Sequence, residues 1–349
     1  MITNLRIKNL RAFREIELSN LKRVNIVVGD SASGKTTLLE AIALLGGGRP
    51  DLPISLKQAR TRQFPDPNRV AIELATFEMI RNPQLPIEVG CDADRGEGRS
   101  IRIAPKDGFS RLSCFNVQPN RDLPFDVTYE FPSNDAASFS ASVVNNVVRL
   151  DPMSPLPIQF PPPLTPIFIN TSEPSYELTG LFSELQQAGQ LKTILQRVHR
   201  EFPFIEDLYH GQDTLGNPII LARVCNEPKA LPIYNISSGF VHWLRYSISL
   251  GYLPNIVFLI DELENGTYFG RYGALWKMLY EEASARNSQL FVTTHSRECL
   301  AGVLQVAGSK PSDFSLIQLA YDGSAVTATQ IEGEQLCGAL RNGFEVRGE

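Results

Sequence analysis

Residues Val24–Ile42 read VNIVVGDSASGKTTLLEAI. VNIVV is a near-continuous apolar run, the mark of a strand buried on both faces. KTTLLEAIALLG then shows helical periodicity, with Leu38, Ile42 and Leu45 on one stripe and a stop at Gly46, Gly47 and Gly48. Between them, Gly29, Gly34, Lys35 and Thr36 fill the pattern G-x-x-x-x-G-K-[ST]. Strand, loop and helix stand in the order that phosphate binding requires. The amides of Asp30, Ser31, Ala32, Ser33 and Gly34, with Thr37 in the first helical turn, can line a nest around an anion, and the helix N-terminus adds its positive end. Lys35 is placed to reach the terminal phosphates, and the Thr36 hydroxyl to ligate magnesium.

Upstream, LRIKNL and IELSNL alternate apolar and polar residues and predict an antiparallel hairpin. Downstream, RVAIELATF, LPIEVGC, SIRIAP, FDVTYEF and ASVVNNVVRL predict short strands of an antiparallel region over 65–166. It closes on the proline-rich Pro152–Pro166, which can be neither helix nor central strand. PIFINT resumes as a strand, and Tyr176–Phe202 reads as two helices, giving a helical subdomain over 167–234. From 235 to 349 strands and helices alternate again, so a mainly parallel sheet is expected, with ligand at the carboxyl ends of its strands. The N-terminal lobe, 1–64, carries the glycine loop.

Three further constellations lie in that last third. IVFLIDELENG ends an apolar strand in Asp261 and Glu262, a costly placement unless a cation or a reaction is near. Asp261 is positioned to hold magnesium through its water shell, and Glu262 to orient or deprotonate an attacking water; capping of the next helix is the alternative use of both. QLFVTTH brings His295 to the end of a second buried strand, where it can hydrogen-bond a γ-phosphate or serve only structure. In YNISSGFVHWLRYSISL, Asn235, Ser237, Ser238 and Gly239 precede a helix and can offer hydroxyls and amides to an anion, or simply cap it.

Bulk properties bound the partners. The 349 residues are 43% hydrophobic and 20% charged, with net charge -5, so a uniformly basic surface is excluded. Residues 1–63 nonetheless hold eleven Lys/Arg against five Asp/Glu, leaving -11 on the remainder. The five cysteines, Cys91, Cys114, Cys225, Cys299 and Cys337, form no C-x-x-C pair, which points to a reducing compartment without a zinc site. No apolar run is long enough for a membrane span and the start lacks a signal-peptide core, so a cytoplasmic location is expected.

With these four motifs in order, the chain resembles the ABC-type ATPases of the SMC, RecF and OLD group, including the stand-alone ATP-binding proteins often linked to bacterial phage defence. The resemblance implies an α/β P-loop NTPase head that dimerises around two ATP molecules with Mg2+. It assigns Walker A to Gly29–Thr36, the signature to Ser237, Ser238 and Gly239 acting across the dimer, Walker B to Asp261 and Glu262, and the switch histidine to His295. Arg11, in NLRAF, falls where relatives place an arginine close to the nucleotide; Gln58 and Gln63 are both candidates for the glutamine loop. Ser31 and Ala32 replace the usual Asn and Gly, the signature reads Ser-Ser-Gly for Ser-Gly-Gly, and Tyr268 and Phe269 stand where many relatives have a histidine. About fifty residues follow His295, too few for an appended Toprim nuclease. The expected function is a slow ATPase whose dimer or higher oligomer regulates a separately encoded effector, with a RecF-like DNA clamp and a non-hydrolysing scaffold as alternatives.

Overall fold

The computed structural model describes residues 1–46, 56, 75–94, 98–107, 110, 125–130, 136–144, 147–152, 165–169 and 176–343. Its organising layer is a six-stranded sheet. β1 (Ile2–Leu10) and β2 (Phe13–Leu18) precede β3 (Val24–Gly29), the strand that leads into α1 (Lys35–Leu44). β4 (Ile87–Ala93), β5 (Arg99–Pro105), β6 (Phe125–Glu130), β7 (Ala136–Val144) and β8 (Val147–Pro152) form the middle of the chain, followed by β9 (Thr165–Ile169). Then come α2 (Tyr176–Gln187), α3 (Leu191–Glu201), β10 (Ile205–Gln212), β11 (Pro218–Val224), β12 (Leu231–Pro232) and α4 (Ser238–Tyr252). β13 (Ile256–Ile260), α5 (Tyr272–Ala285), β14 (Gln289–Thr293), α6 (Arg297–Gly302), β15 (Phe314–Tyr321), β16 (Val326–Glu332) and α7 (Gly333–Arg341) complete it.

The six-stranded sheet runs β16-β15-β3-β14-β13-β9, parallel throughout except for the β15–β16 hairpin. β3 is fully buried, as its near-continuous apolar run predicts, and lies between two parallel neighbours. Period-two alternation divides its side chains between two cores. Val24, Ile26 and Val28 face the helical layer of α2, α3, α4 and α5, while Val27 faces α1 and the second sheet. That second sheet is antiparallel, in the order β2-β1-β4-β5-β6-β7-β8. The N-terminal hairpin and the strands of the 65–166 segment therefore share one sheet. α1 touches strands of both sheets and is buried on nearly every side, beyond the single stripe its periodicity suggests.

Buried polar side chains join the layers. Gln289 accepts from the Ile2 amide and donates to the Ile2 and Lys22 carbonyls, each at 2.8 Å, tying β14 to β1. Asn25, fully buried in β3, accepts from the Lys22 amide and the Ser315 hydroxyl at 2.8 Å. In the helical layer Arg197 of α3 pairs with buried Glu282 of α5, whose carboxyl is pushed up by burial and partly held back by Arg197.

Three expectations change. The end of RVAIELATF is helix, not strand: residues 75–79 are helical, which places Ala75 and Met79, four apart, together in the core, and 69–74 lie outside the described residues. The segment 167–234 contains the three-stranded antiparallel sheet β10-β11-β12 as well as its two helices. β15 and β16, which extend the main sheet, were absent from the sequence reading. Pro152 and Pro166 sit in β8 and β9, each an edge strand, where a missing amide is tolerated.

Candidate functional site

The adjacent strands β3, β14 and β13 converge at their carboxyl ends, and the first, second and third motifs meet there. The loop after β3 can only be built with its two glycines. A Cβ on Gly29, at φ +145°, would lie 2.2 Å from the Leu319 carbonyl oxygen, and one on Gly34, at φ +98°, would lie 2.6 Å from the Phe13 ring. Ala32 also adopts a left-handed conformation, φ 64°, the region that favours glycine. The strain costs about 1 kcal/mol and leaves the turn intact. Ser33 is buried and its hydroxyl has no hydrogen-bond partner.

Lys35, 6% exposed, donates to the carbonyls of Gly29 and Asp30 at 2.8 Å. Burial lowers its ammonium below the usual lysine range, and Asp261, Asp30, Glu262 and Glu264 oppose that shift. Thr36 donates to Asp261 Oδ2 at 2.9 Å, bringing the two expected magnesium ligands together. Among the described residues no cluster of three or more His, Cys, Asp or Glu forms a metal cage. A hydroxyl beside one carboxylate suits Mg2+, which takes hard oxygen ligands and keeps water or phosphate in its remaining positions. The orphaned Ser33 hydroxyl and the buried Lys35 likewise fit a phosphate chain.

Thr293, the last residue of β14, links the other two motifs. Its hydroxyl donates to Asp261 Oδ1 at 2.6 Å and accepts the Glu262 amide at 2.8 Å. Glu262 itself has φ 53°, a left-handed backbone that turns the chain sharply after β13. Its exposed carboxylate accepts from Asn265 Nδ2 at 2.6 Å. The His295 amide donates to Glu264 Oε1 at 2.6 Å, so the loop after β14 is pinned to the loop after β13, with the imidazole exposed. Thr293, Glu264 and Asn265 carried no role in the sequence reading; a polar residue ending a buried apolar strand was the available signal.

Two predicted groups lie apart. Arg11, at φ 48° in the turn between β1 and β2, sits with Nε 3.1 Å from Oε2 of Glu40, a residue of α1 that is 1% exposed. It is docked on the helix that follows the loop, one turn beyond Thr36. Ser237 caps α4 by accepting the Phe240 amide at 3.2 Å, as the capping alternative anticipates. Ser237 and Ser238 are exposed, and no described hydrogen bond joins them to Gly29–Thr37 of the same chain. Gln58 and Gln63 lie outside the described residues.

Two segments of the chain match known families. Residues 1–82 match the AAA ATPase domain family, and residues 180–301 match a family described as AAA domain, putative AbiEii toxin, Type IV TA system. The DNA replication and repair protein RecF of Idiomarina loihiensis is 47% identical over 57 residues, 16% of each chain. RecF of Nitrosococcus oceani is 50% identical over 58 residues, 17% of this chain and 16% of that one. The alignments thus span about a sixth of these relatives' length. An SMC head, solved bound to the C-winged helix domain of ScpA, superimposes with a TM-score of 0.50 over 95% of this chain and 98% of that one at 10% identity, a likeness of fold. The glycine loop thus lies in the segment matched to the AAA ATPase domain family, and Asp261, Glu262 and His295 lie in the segment matched to the second AAA-domain family.

Proposed function

We propose that the protein binds ATP with Mg2+ at Gly29–Thr37, hydrolyses it slowly, and closes around the nucleotide as a dimer or higher oligomer of identical chains. Its output is regulation of a separately encoded effector in antiviral defence. The observation that carries the nucleotide assignment is the Thr36–Asp261 contact, because it joins residues 225 apart in sequence into the ligand pair that magnesium needs. Bound there, Mg2+ would neutralise charge on the phosphates. Thr36 would offer it a hydroxyl oxygen and Asp261 would hold it through its water shell, while Lys35 holds the terminal phosphates, Glu262 accepts a proton from water, and His295 contacts the γ-phosphate.

Dimerisation is supported by the placement of Ser237, Ser238 and Gly239. Ser237 and Ser238 stand exposed, with half-buried Gly239 beside them, at a helix N-terminus that no described hydrogen bond joins to their own chain's loop, and a second copy would bring an ATP to them. The defence reading draws on the family description of residues 180–301, which names a toxin of a toxin–antitoxin system. The RecF relatives favour the second reading, an ATP-dependent DNA-binding clamp. Against it, three of the N-terminal basic residues that would meet phosphates are ion-paired: Arg6 with Asp92, Lys8 with Glu15 and Arg11 with Glu40.

Phosphate release from wild type, Lys35→Ala and Glu262→Gln tests the enzyme. Wild type turns over, Lys35→Ala neither binds nor turns over ATP, and Glu262→Gln loses about 100-fold or more in kcat while still sedimenting as a dimer with ATP. Absence of phosphate release from wild type removes the hydrolytic assignment, and sedimentation unchanged by ATP removes the dimer. DNA binding that requires ATP and falls steeply with salt selects the clamp; its absence, with co-purification of a neighbouring gene's product, selects effector control.

A further inference from the structure

Glu262 is gripped from two directions. Its amide is held by Thr293, as described above. Its carboxylate is held by Asn265, three residues on, whose side-chain amide donates to Oε2 at 2.6 Å and whose main-chain amide donates to the Glu262 carbonyl at 3.0 Å. Asn265 is anchored in turn. Its carbonyl lies 2.8 Å from His242 Nδ1, and because a carbonyl can only accept, Nδ1 carries the proton. His242 belongs to α4, the helix whose amino end presents Ser237 and Ser238.

Loop and helix fit too closely for other residues. A Cβ on Gly239 would stand 2.8 Å from the Gly266 carbonyl oxygen, and one on Gly266, at φ +70°, would stand 3.0 Å from both His242 Cε1 and Ser238 Oγ. Ser238 Oγ also donates to the Gly266 carbonyl at 3.3 Å. The segment Asn265–Gly266 is thus clamped onto α4, and Asn265 passes that fixed position to Glu262.

We propose that Asn265 and His242 are positioning residues for Glu262, setting its carboxylate by the chain of hydrogen bonds from His242 Nδ1–H to the Asn265 carbonyl and from Asn265 Nδ2–H to Glu262 Oε2. This rests on the reading of Glu262 as the proton acceptor in ATP hydrolysis. A carboxylate free to swing loses the geometry that water activation requires, and a misplacement of about 1 Å can cost about 100-fold in rate. The same chain makes the aim of the base depend on the seating of the helix that carries Ser237 and Ser238.

Steady-state ATP hydrolysis by the full chain tests this with Asn265→Ala, His242→Gln, His242→Asn and Glu262→Gln beside wild type. Asn265→Ala lowers kcat by about 10- to 100-fold with KM for ATP within about twofold and an unaltered thermal midpoint. His242→Asn, whose amide nitrogen falls where Nδ1 stood, keeps kcat near wild type, while His242→Gln, whose amide reaches further, loses it. Asn265→Ala with wild-type kcat, or His242→Asn and His242→Gln impaired equally, overturns the proposal. If Glu262→Gln turns over ATP like wild type, the role of Glu262 falls and this inference with it. If Glu262→Gln is inactive and Asn265→Ala is not, only the positioning chain falls.

Discussion

The carboxyl ends of β3, β14 and β13 and the amino end of α4 offer similar groups, yet one is closed on itself and the other open. At the strand ends Thr36, Asp261, Thr293 and the Glu262 amide already satisfy one another at 2.6 to 2.9 Å. At α4 the hydroxyls of Ser237 and Ser238 are spent on a cap and one long bond, and exposed Tyr268 lines the same hollow. Preorganised dipoles lower the cost of binding charge, whereas an exposed helix end gains value only from what is brought to it. On the proposed function, a single chain is sufficient to bind nucleotide and turnover awaits a second surface.

The largest effect is expected on the open side. Ser238→Arg buries an unpaired charge in the proposed dimer and weakens ATP-driven self-association by about 100-fold or more, with ATP binding to the single chain unchanged; sedimentation and nucleotide titration read the two separately. Loss of nucleotide binding in this variant would break the distinction. On the closed side, Thr293→Val removes the hydroxyl shared by Asp261 and Glu262. It lowers stability by about 1–3 kcal/mol in a denaturant titration and reduces kcat as well.

Cys299 sharpens the comparison through chemistry. It is buried in α6 just beyond His295, and burial pushes its thiol up to about 12. Thiolate is the reactive form, so Cys299 resists iodoacetamide in the native protein while half-buried Cys225 is modified first; peptide mass spectrometry follows both. The raised value makes this thiol's contribution to stability complete below about pH 9 and lost as pH climbs toward about 12, because the unfolded chain releases the proton first. The smallest effect is Ala32→Gly. Relief of left-handed strain is offset by greater freedom in the unfolded chain, so stability changes by less than about 1 kcal/mol and hydrolysis persists.

The groups legible in the sequence were those whose meaning is local. Gly29 to Thr36 declares itself because loop, lysine and hydroxyl lie within eight positions of one strand-to-helix turn. Asp261, Glu262 and His295 could be read because each closes an apolar run. Thr293, Asn265 and His242 could not, since their value comes from the adjacency of β13, β14 and α4, which no spacing encodes. The resemblance puts Arg11 close to the nucleotide, while its partner Glu40 reads as an ordinary helix residue until α1 is seen buried on nearly every side. Residues 75–79 illustrate the other limit: a short apolar run does not choose between helix and strand until packing decides.

Gln289 also governs how the molecule can be made. Its bond to the Ile2 amide joins positions 287 apart, and β3 is flanked by β14 and β15, which follow it far along the chain. During synthesis the apolar edges of β3 stay unpaired until β14 and β15 have emerged, a topology that folds slowly and exposes sticky intermediates. The nucleotide loop is translated well before the strands that hold it in shape.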